Sequence, residues 1–228
     1  MYSNKKLYDT IENFYKTQDY TQLKKLEDML LANCKEDAIK GASKTASDSA
    51  IVKRLLKSSK ESRNNALLKA HKFNYNGLTF EGVTDGHYVI ATADTIGVEF
   101  AEDNERMAFE RFFDTSALDK EITIDIEELK VFSKIADKKE PYMVKFEACG
   151  RTCYGGFNPQ YLLDVLTYCK TDKIKVTAKN GYVMAPAYIE AENGERIGLV
   201  LPINIKGSST PVEEVETRYN SQIEKLAA

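Results

Sequence analysis

Apolar residues in the first 70 positions return every three or four residues, the period of a helix with one buried face. Leu7, Ile11 and Phe14 form one such stripe, and Leu23, Leu26, Met29 and Leu30 form a second after Gln18-Asp19, where Asp19 can cap the helix start. A third helix is expected over about residues 35–57, diluted by Gly41 and several Ser and Thr. Its apolar pattern stops at Ser58-Ser59-Lys60-Glu61-Ser62, which places a domain boundary at residue 60. Ala66, Leu67 and Ala70 predict one more short helix, ending at His71.

From residue 72 the texture changes. Phe73, Tyr75, Leu78 and Phe80 bring aromatics at short spacing, and Tyr88-Val89-Ile90 follows the turn-forming Thr84-Asp85-Gly86, which predicts a hairpin or meander. Residues 101–119 read as an acidic, irregular connector. Beyond it the pattern predicts a strand at Ile122-Thr123-Ile124, a helix over 126–136, and strands over 142–147 and 152–154. A second helix is expected over 159–169, with Asn158 as its cap and Pro159 in the first helical position. Strands over 174–178, 182–191 and 197–205 follow, joined by Asn180-Gly181 and Asn193-Gly194 as two-residue turns. Strand, helix and strands thus occur twice in succession, so each helix is expected to cover one face of an antiparallel sheet, an α+β arrangement. After the Ser208-Ser209-Thr210-Pro211 linker, Val215, Tyr219 and Ile223 predict a terminal helix.

Composition narrows the class. The 228 residues are 43% apolar and 29% charged, enough for a core without disulfides and too apolar for a disordered chain. No run approaches the roughly 18 apolar residues of a membrane helix. No apolar stretch follows Met1–Lys6 in the manner of a secretory signal, so a cytoplasmic protein is expected. The net charge of −3 is unevenly spread: residues 1–71 carry 14 Lys and Arg against 9 Asp and Glu, which leaves the remainder acidic. Cys34, Cys149, Cys153 and Cys169 read as reduced thiols. His71 and His87 lie too far in sequence from the Cys149–Cys153 pair to suggest a zinc site, so neither metal nor cofactor is expected. There is no Gly-rich phosphate loop and no nucleophile elbow, and no acidic pair stands in an apolar setting that would tune a proton donor, so the protein is not expected to be an enzyme.

Two stretches carry a more specific signal. Gly156-Phe-Asn-Pro-Gln-Tyr-Leu-Leu-Asp-Val-Leu166, followed after several strands by Leu199-Val-Leu-Pro-Ile-Asn-Ile205, resembles the closing half-domain of the bacterial DNA polymerase III beta subunit, the sliding clamp. Asn76-Gly-Leu-Thr-Phe-Glu81 and Val83-Thr-Asp-Gly-His87 resemble the middle domain of the same family, and Ile122–Ile135 is similar to the strand and helix after it. The matches span residues 62–206 in the family's order. They imply an α+β, DNA-clamp-like domain over 61–206, preceded by a helical module over 1–60 and followed by a linker and helix over 207–228. The family chain repeats this unit, whereas about one domain is present here, as in a divergent form carried by a phage or mobile element. A ring would therefore need several copies of this chain.

The resemblance also implies a site. Clamps take a short Gln-Leu-containing peptide of a partner into an apolar pocket, and the matching positions are Thr84, Gly86, His87 and Val89 with Leu199, Leu201, Pro202 and Ile203. Tyr88 and Asn204 stand where that family usually carries arginine. Read without the resemblance, Leu199, Leu201 and Ile203 are alternating strand residues filling a core, and Thr84–His87 is a tight turn. Gln222-Ile-Glu-Lys-Leu226 and Gln22-Leu-Lys-Lys-Leu26 weakly echo such a peptide, so the tail is a candidate to lie over the pocket; an ordinary amphipathic helix explains either stretch.

A protein that encircles DNA needs positive helices that meet phosphates without reading bases. Lys130, Lys134 and Lys138 recur at four-residue spacing opposite Leu129, Phe132, Ile135 and Ala136, and Lys53, Lys57 and Lys60 make a second stripe. Any solvated amphipathic helix shows the same pattern. The leading expectation is a processivity factor that oligomerises around duplex DNA and tethers a polymerase through a short peptide. The alternatives are a clamp-fold adaptor or inhibitor that binds a replication or host protein without encircling DNA, and a DNA-binding regulator acting through the basic helices of residues 35–71.

Overall fold

The computed structural model describes residues 46–61, 65–102, 107–113, 120–137, 140–148, 150–179, 181–183, 185–205 and 212–227, with Ile11, Asn13 and Thr17. Those three are helical, and the rest of the two helices expected before residue 31 lies outside the described residues. The chain divides into two compact units, Met1–Ser49 and Ala50–Ala228, and every contact below lies in the second.

Eleven strands are described, and they form two sheets. The larger, seven-stranded sheet takes β1 (His71–Tyr75), β2 (Leu78–Thr84), β3 (Tyr88–Thr92), β4 (Lys120–Thr123), β7 (Lys173–Val176), β10 (Ala187–Glu190) and β11 (Arg196–Val200). Their order is β1-β2-β3-β11-β10-β7-β4, with every neighbour antiparallel. The smaller sheet takes β5 (Tyr142–Ala148), β6 (Arg151–Phe157), β8 (Ala178–Lys179) and β9 (Tyr182–Val183) in the order β5-β6-β9-β8. It departs from the expected antiparallel pattern at one place, where Tyr154 pairs with Tyr182 in parallel. The chain therefore changes sheet at Thr177 and again between Val183 and Ala187. Pro186 in the second gap cannot donate to a ladder, which explains why the long strand expected over 182–191 is broken.

Among the described residues, four helices pack on these sheets: α1 (Ala46–Glu61), α2 (Ile126–Ile135), α3 (Pro159–Cys169) and α4 (Val212–Ala227). The main core lies between α1–α3 and both sheets, joining Leu55, Leu129, Phe132, Leu162 and Val165 to Ile90, Val144, Phe157 and Val200. The cap of α3 is as expected: Asn158 Oδ1 accepts from Gln160 N and Tyr161 N at 3.0 and 3.2 Å. Asp125 caps α2 in the same way.

Several expectations need correction. α1 runs through Ser58–Glu61 instead of stopping there, because Ile51, Leu55 and Ser59 are buried in the second unit and Ser59 donates to Leu55 O. The short helix around Ala66 is a single 3-10 turn, Asn65–Leu68; Ala70 bridges Phe100 and His71 already begins β1. Residues 101–119 are more than a connector, since Phe109 and Phe113 are buried with Phe73, Phe80 and Tyr188 in a second, aromatic core on the other face of the large sheet. Ile135 was expected to face the sheet and is exposed. The turn at Asn193-Gly194 spans four residues, closed by Ala191 N donating to Arg196 O.

Candidate functional site

The loop Thr84–His87 is built by its own side chains. Asp85 Oδ1 accepts from His87 N and Tyr88 N at 2.8 and 3.1 Å, while Thr84 Oγ1 accepts from Gly86 N at 3.0 Å and donates to Tyr88 O at 2.7 Å. Gly86 supplies the positive φ, +89°, that a side chain would resist. Ser59 on α1 donates to Thr84 O at 3.2 Å and so fixes the loop from behind.

Beside this loop runs the chain after β11. Leu201 N donates to His87 O at 3.0 Å, Pro202 bridges Phe157, and Ile203 N donates to Gly156 O at 2.8 Å. The segment therefore stitches the two sheets together next to the loop. Its backbone is held, while the Leu201 side chain remains 44% exposed and Pro202 and Ile203 are half-buried.

The predicted site residues thus separate into two groups. Thr84, Gly86, His87, Leu201, Pro202 and Ile203 lie together. Val89 and Leu199, paired across β3 and β11, are 8% and 5% exposed and point into the aromatic core on the far face, so they belong to the packing of the sheet. The strand ends account for this: β11 stops at Val200 and β3 begins at Tyr88, so Leu201 and His87 lie outside the strands whose alternation turns Leu199 and Val89 into the core.

Tyr161 was not anticipated from the sequence. Its ring stacks on His87 at 5.9 Å and on Tyr88 at 4.8 Å, which makes a ladder of three rings rising to the surface. The signal was available, because Tyr161 sits three residues after the Asn158 cap and faces back over the entering chain. Beneath the ladder, Asp164 accepts from Arg54 Nε and Nη2 at 2.9 Å each and from Gln160 Nε2 at 2.8 Å. Burial holds the Asp164 carboxyl above the usual carboxylate range, against the pull of Gln160 and Arg54. Burial also pushes the Tyr88 hydroxyl well up, helped by Asp164 and Asp85.

Lys53 and Lys57 on α1 and Lys130 and Lys134 on α2 are exposed. Lys130 is engaged by Glu127 at 2.6 Å, and Val131 and Ile135 are exposed on the same helix. The side chain of Lys60, and Lys138 altogether, lie outside the described residues. The described part of the tail lies elsewhere than expected: α4 packs on the small sheet, with Val215 and Tyr219 against Met143, Tyr154, Tyr182 and Ile205. Of its expected stripe, Ile223 is exposed and Gln222 is buried instead. An open groove of about 490 Å³ lies elsewhere, along β1, lined by Lys72, Asn74, Thr79 and Met107. Among the described residues no group of His, Cys, Asp and Glu is placed to hold a metal ion, and none of the helices is long and apolar enough to cross a membrane.

No protein-family model and no curated protein matches the sequence. Solved structures do match. A DNA polymerase sliding clamp from Bacillus subtilis aligns at a TM-score of 0.51 and 11% identity, covering 70% of this chain and 62% of that one. A putative DNA polymerase III beta subunit from Eubacterium rectale aligns at 0.50 and 15% identity, covering 70% of this chain and 63% of that one. The chain thus spans under two thirds of the length of these clamps. At that identity the likeness carries the architecture: the fold is α+β and sliding-clamp-like.

Proposed function

We propose that the protein is a noncatalytic replication accessory factor that captures a short peptide of a partner protein between the loop Thr84–His87 and the segment Leu201–Ile203. The observation that carries this reading is the hydrogen bond from Leu201 N to His87 O, which sets the two segments side by side while Leu201, Pro202, Ile203, His87 and Tyr161 stay accessible. Rigid apolar and aromatic anchors on a held backbone suit peptide capture, because little ordering entropy is lost on the protein's side. Tyr88 and Asn204 leave this site without a cation of its own there, which favours apolar over acidic peptide anchors. The clamp-like fold supports the same reading.

Encirclement of duplex DNA by several copies is the second reading. It is supported by Lys53, Lys57, Lys130 and Lys134, which are exposed on two helices that contribute to the same core. Two measurements test the pair. Fluorescence anisotropy with a labelled Gln-Leu-containing peptide should give saturable binding that the unlabelled peptide competes away; no binding removes the docking reading. Light scattering coupled to size exclusion should give a closed oligomer if DNA is encircled, and a monomer at all concentrations leaves the adaptor.

A further inference from the structure

The edge of the small sheet is closed in an unusual way. β5 pairs with β6 over its whole length, from Tyr142 opposite Phe157 to Ala148 opposite Arg151. Its outer edge would leave the backbone of Met143 bare, and a buried Gln222 on α4 fills the gap. Met143 N donates to Gln222 Oε1 at 2.6 Å, and Gln222 Nε2 donates to Met143 O at 3.1 Å. A side-chain amide has the donor and acceptor of a peptide group, so Gln222 satisfies the edge as one residue of a neighbouring strand would. By the alternation of an antiparallel ladder, Lys145 and Glu147 direct their backbone groups to the same side.

The rest of the cover is light. Among the described side chains of α4, Val215 is the fully buried apolar one, while Tyr219 and Leu226 are half-buried, Leu226 against the main core. Lys145 pairs with Glu216 at 3.3 Å and Lys225 with Glu140 at 2.6 Å, both at the surface where such pairs hold weakly and are screened by salt. Edge strands template pairing with other chains unless something blunts them.

We propose that the β5 edge is a strand-pairing surface held closed by α4, and that its occupant when α4 leaves is β5 of a second copy. Charge complementarity selects that occupant. Lys145 and Glu147 are both exposed and share one face of the strand, so a second β5 laid antiparallel about Phe146 sets each Lys145 opposite a Glu147. This surface is separate from the peptide site and does not depend on it.

Light scattering on the full chain and on a variant lacking residues 212–228 tests the proposal. The shortened variant should show twice the mass of the full chain. Lys145→Glu in that background should return it to the lower mass, and Lys145→Glu with Glu147→Lys should restore the doubling, because the exchanged pair is again self-complementary. A folded shortened variant of unchanged mass overturns the proposal, as does a dimer indifferent to these charges. Should the shortened variant fail to fold, hydrogen exchange on the full chain decides. Gln222→Ala should speed exchange of the Met143 amide about tenfold, the upper worth of the one net hydrogen bond that this amide donates, and an unchanged rate overturns the closure of the edge by α4 on which the proposal rests.

Discussion

Arg54 and Asp164 meet through two parallel hydrogen bonds of 2.9 Å, one helix gripping another across 110 positions of sequence. Asp164 is buried on α3, and the guanidinium of Arg54 is half exposed on α1. Because Asp164 also receives Gln160 and sits under Tyr88, this pair anchors α1 behind the loop that carries His87.

Removing the guanidinium should strand the carboxylate. Arg54→Ala is expected to cost about 2 kcal/mol at neutral pH, below the full value for a buried pair because Arg54 is solvated. A carboxyl raised above 3.8 in the folded state favours the protonated form, so stability falls as pH rises from 3.8 through the folded value. Without Arg54 that fall should be larger, so the cost of Arg54→Ala should shrink toward acid pH. Urea unfolding at a series of pH values checks it; a cost independent of pH would contradict this account.

Alkali should unfold the protein steeply. Burial raises the hydroxyls of Tyr88, Tyr142 and Tyr188 well above 10, with Glu128 adding to the effect on Tyr142 and Tyr75 to that on Tyr188. The unfolded chain ionises these groups near 10 while the native state does not, so their contribution is complete below 10 and is lost as pH rises beyond it. Each should cost about 1.4 kcal/mol per pH unit there. Tyr188→Phe should flatten the dependence by one proton in titrations of unfolding free energy.

Leu201→Ala with Ile203→Ala should weaken peptide binding by more than about 1 kcal/mol. The exposed Leu201 side chain contributes little to the core, so the melting temperature should move by a few degrees at most. Calorimetry on the folded variant checks both; equal affinity would remove these anchors from the site.

Lys130→Glu with Lys134→Glu should lower retention on duplex DNA and flatten its salt dependence if α2 meets phosphate, and Lys53→Glu with Lys57→Glu should do so if α1 does. Filter retention at graded salt separates the two. Retention unaffected by either pair would leave DNA contact without a basis in these helices.

The parts of the fold legible in the sequence were those written locally. The Asn158-Pro159 start of α3, the strand–helix–strands order and the Thr84–His87 turn all follow from neighbouring residues, and the fold class followed from them. What stayed hidden depends on distant partners. Ser58–Glu61 looks like a linker because polar residues interrupt the stripe, yet Ser59 is buried through bonds to Leu55 O and Thr84 O. Asp164 looks like a solvated acid on α3 until Arg54 arrives from elsewhere. Phe109 and Phe113 sit in an acidic stretch whose composition conceals that it roofs an aromatic core. At the site, Leu199 and Leu201 read alike in an alternating run, yet β11 ends at Val200, so Leu199 packs in the sheet and Leu201 stays exposed.

The pairing of β3 with β11 sets Val89 against Leu199, so the middle of the large sheet is a join between the early and the late parts of the chain. During synthesis the β1–β3 meander must wait for more than a hundred further residues before its inner edge is paired. Until then an apolar strand, Tyr88–Thr92, stands open to other nascent chains. Expression of the amino-terminal half alone should therefore give aggregates, and the two halves supplied together should recover a soluble fold only when β11 finds β3.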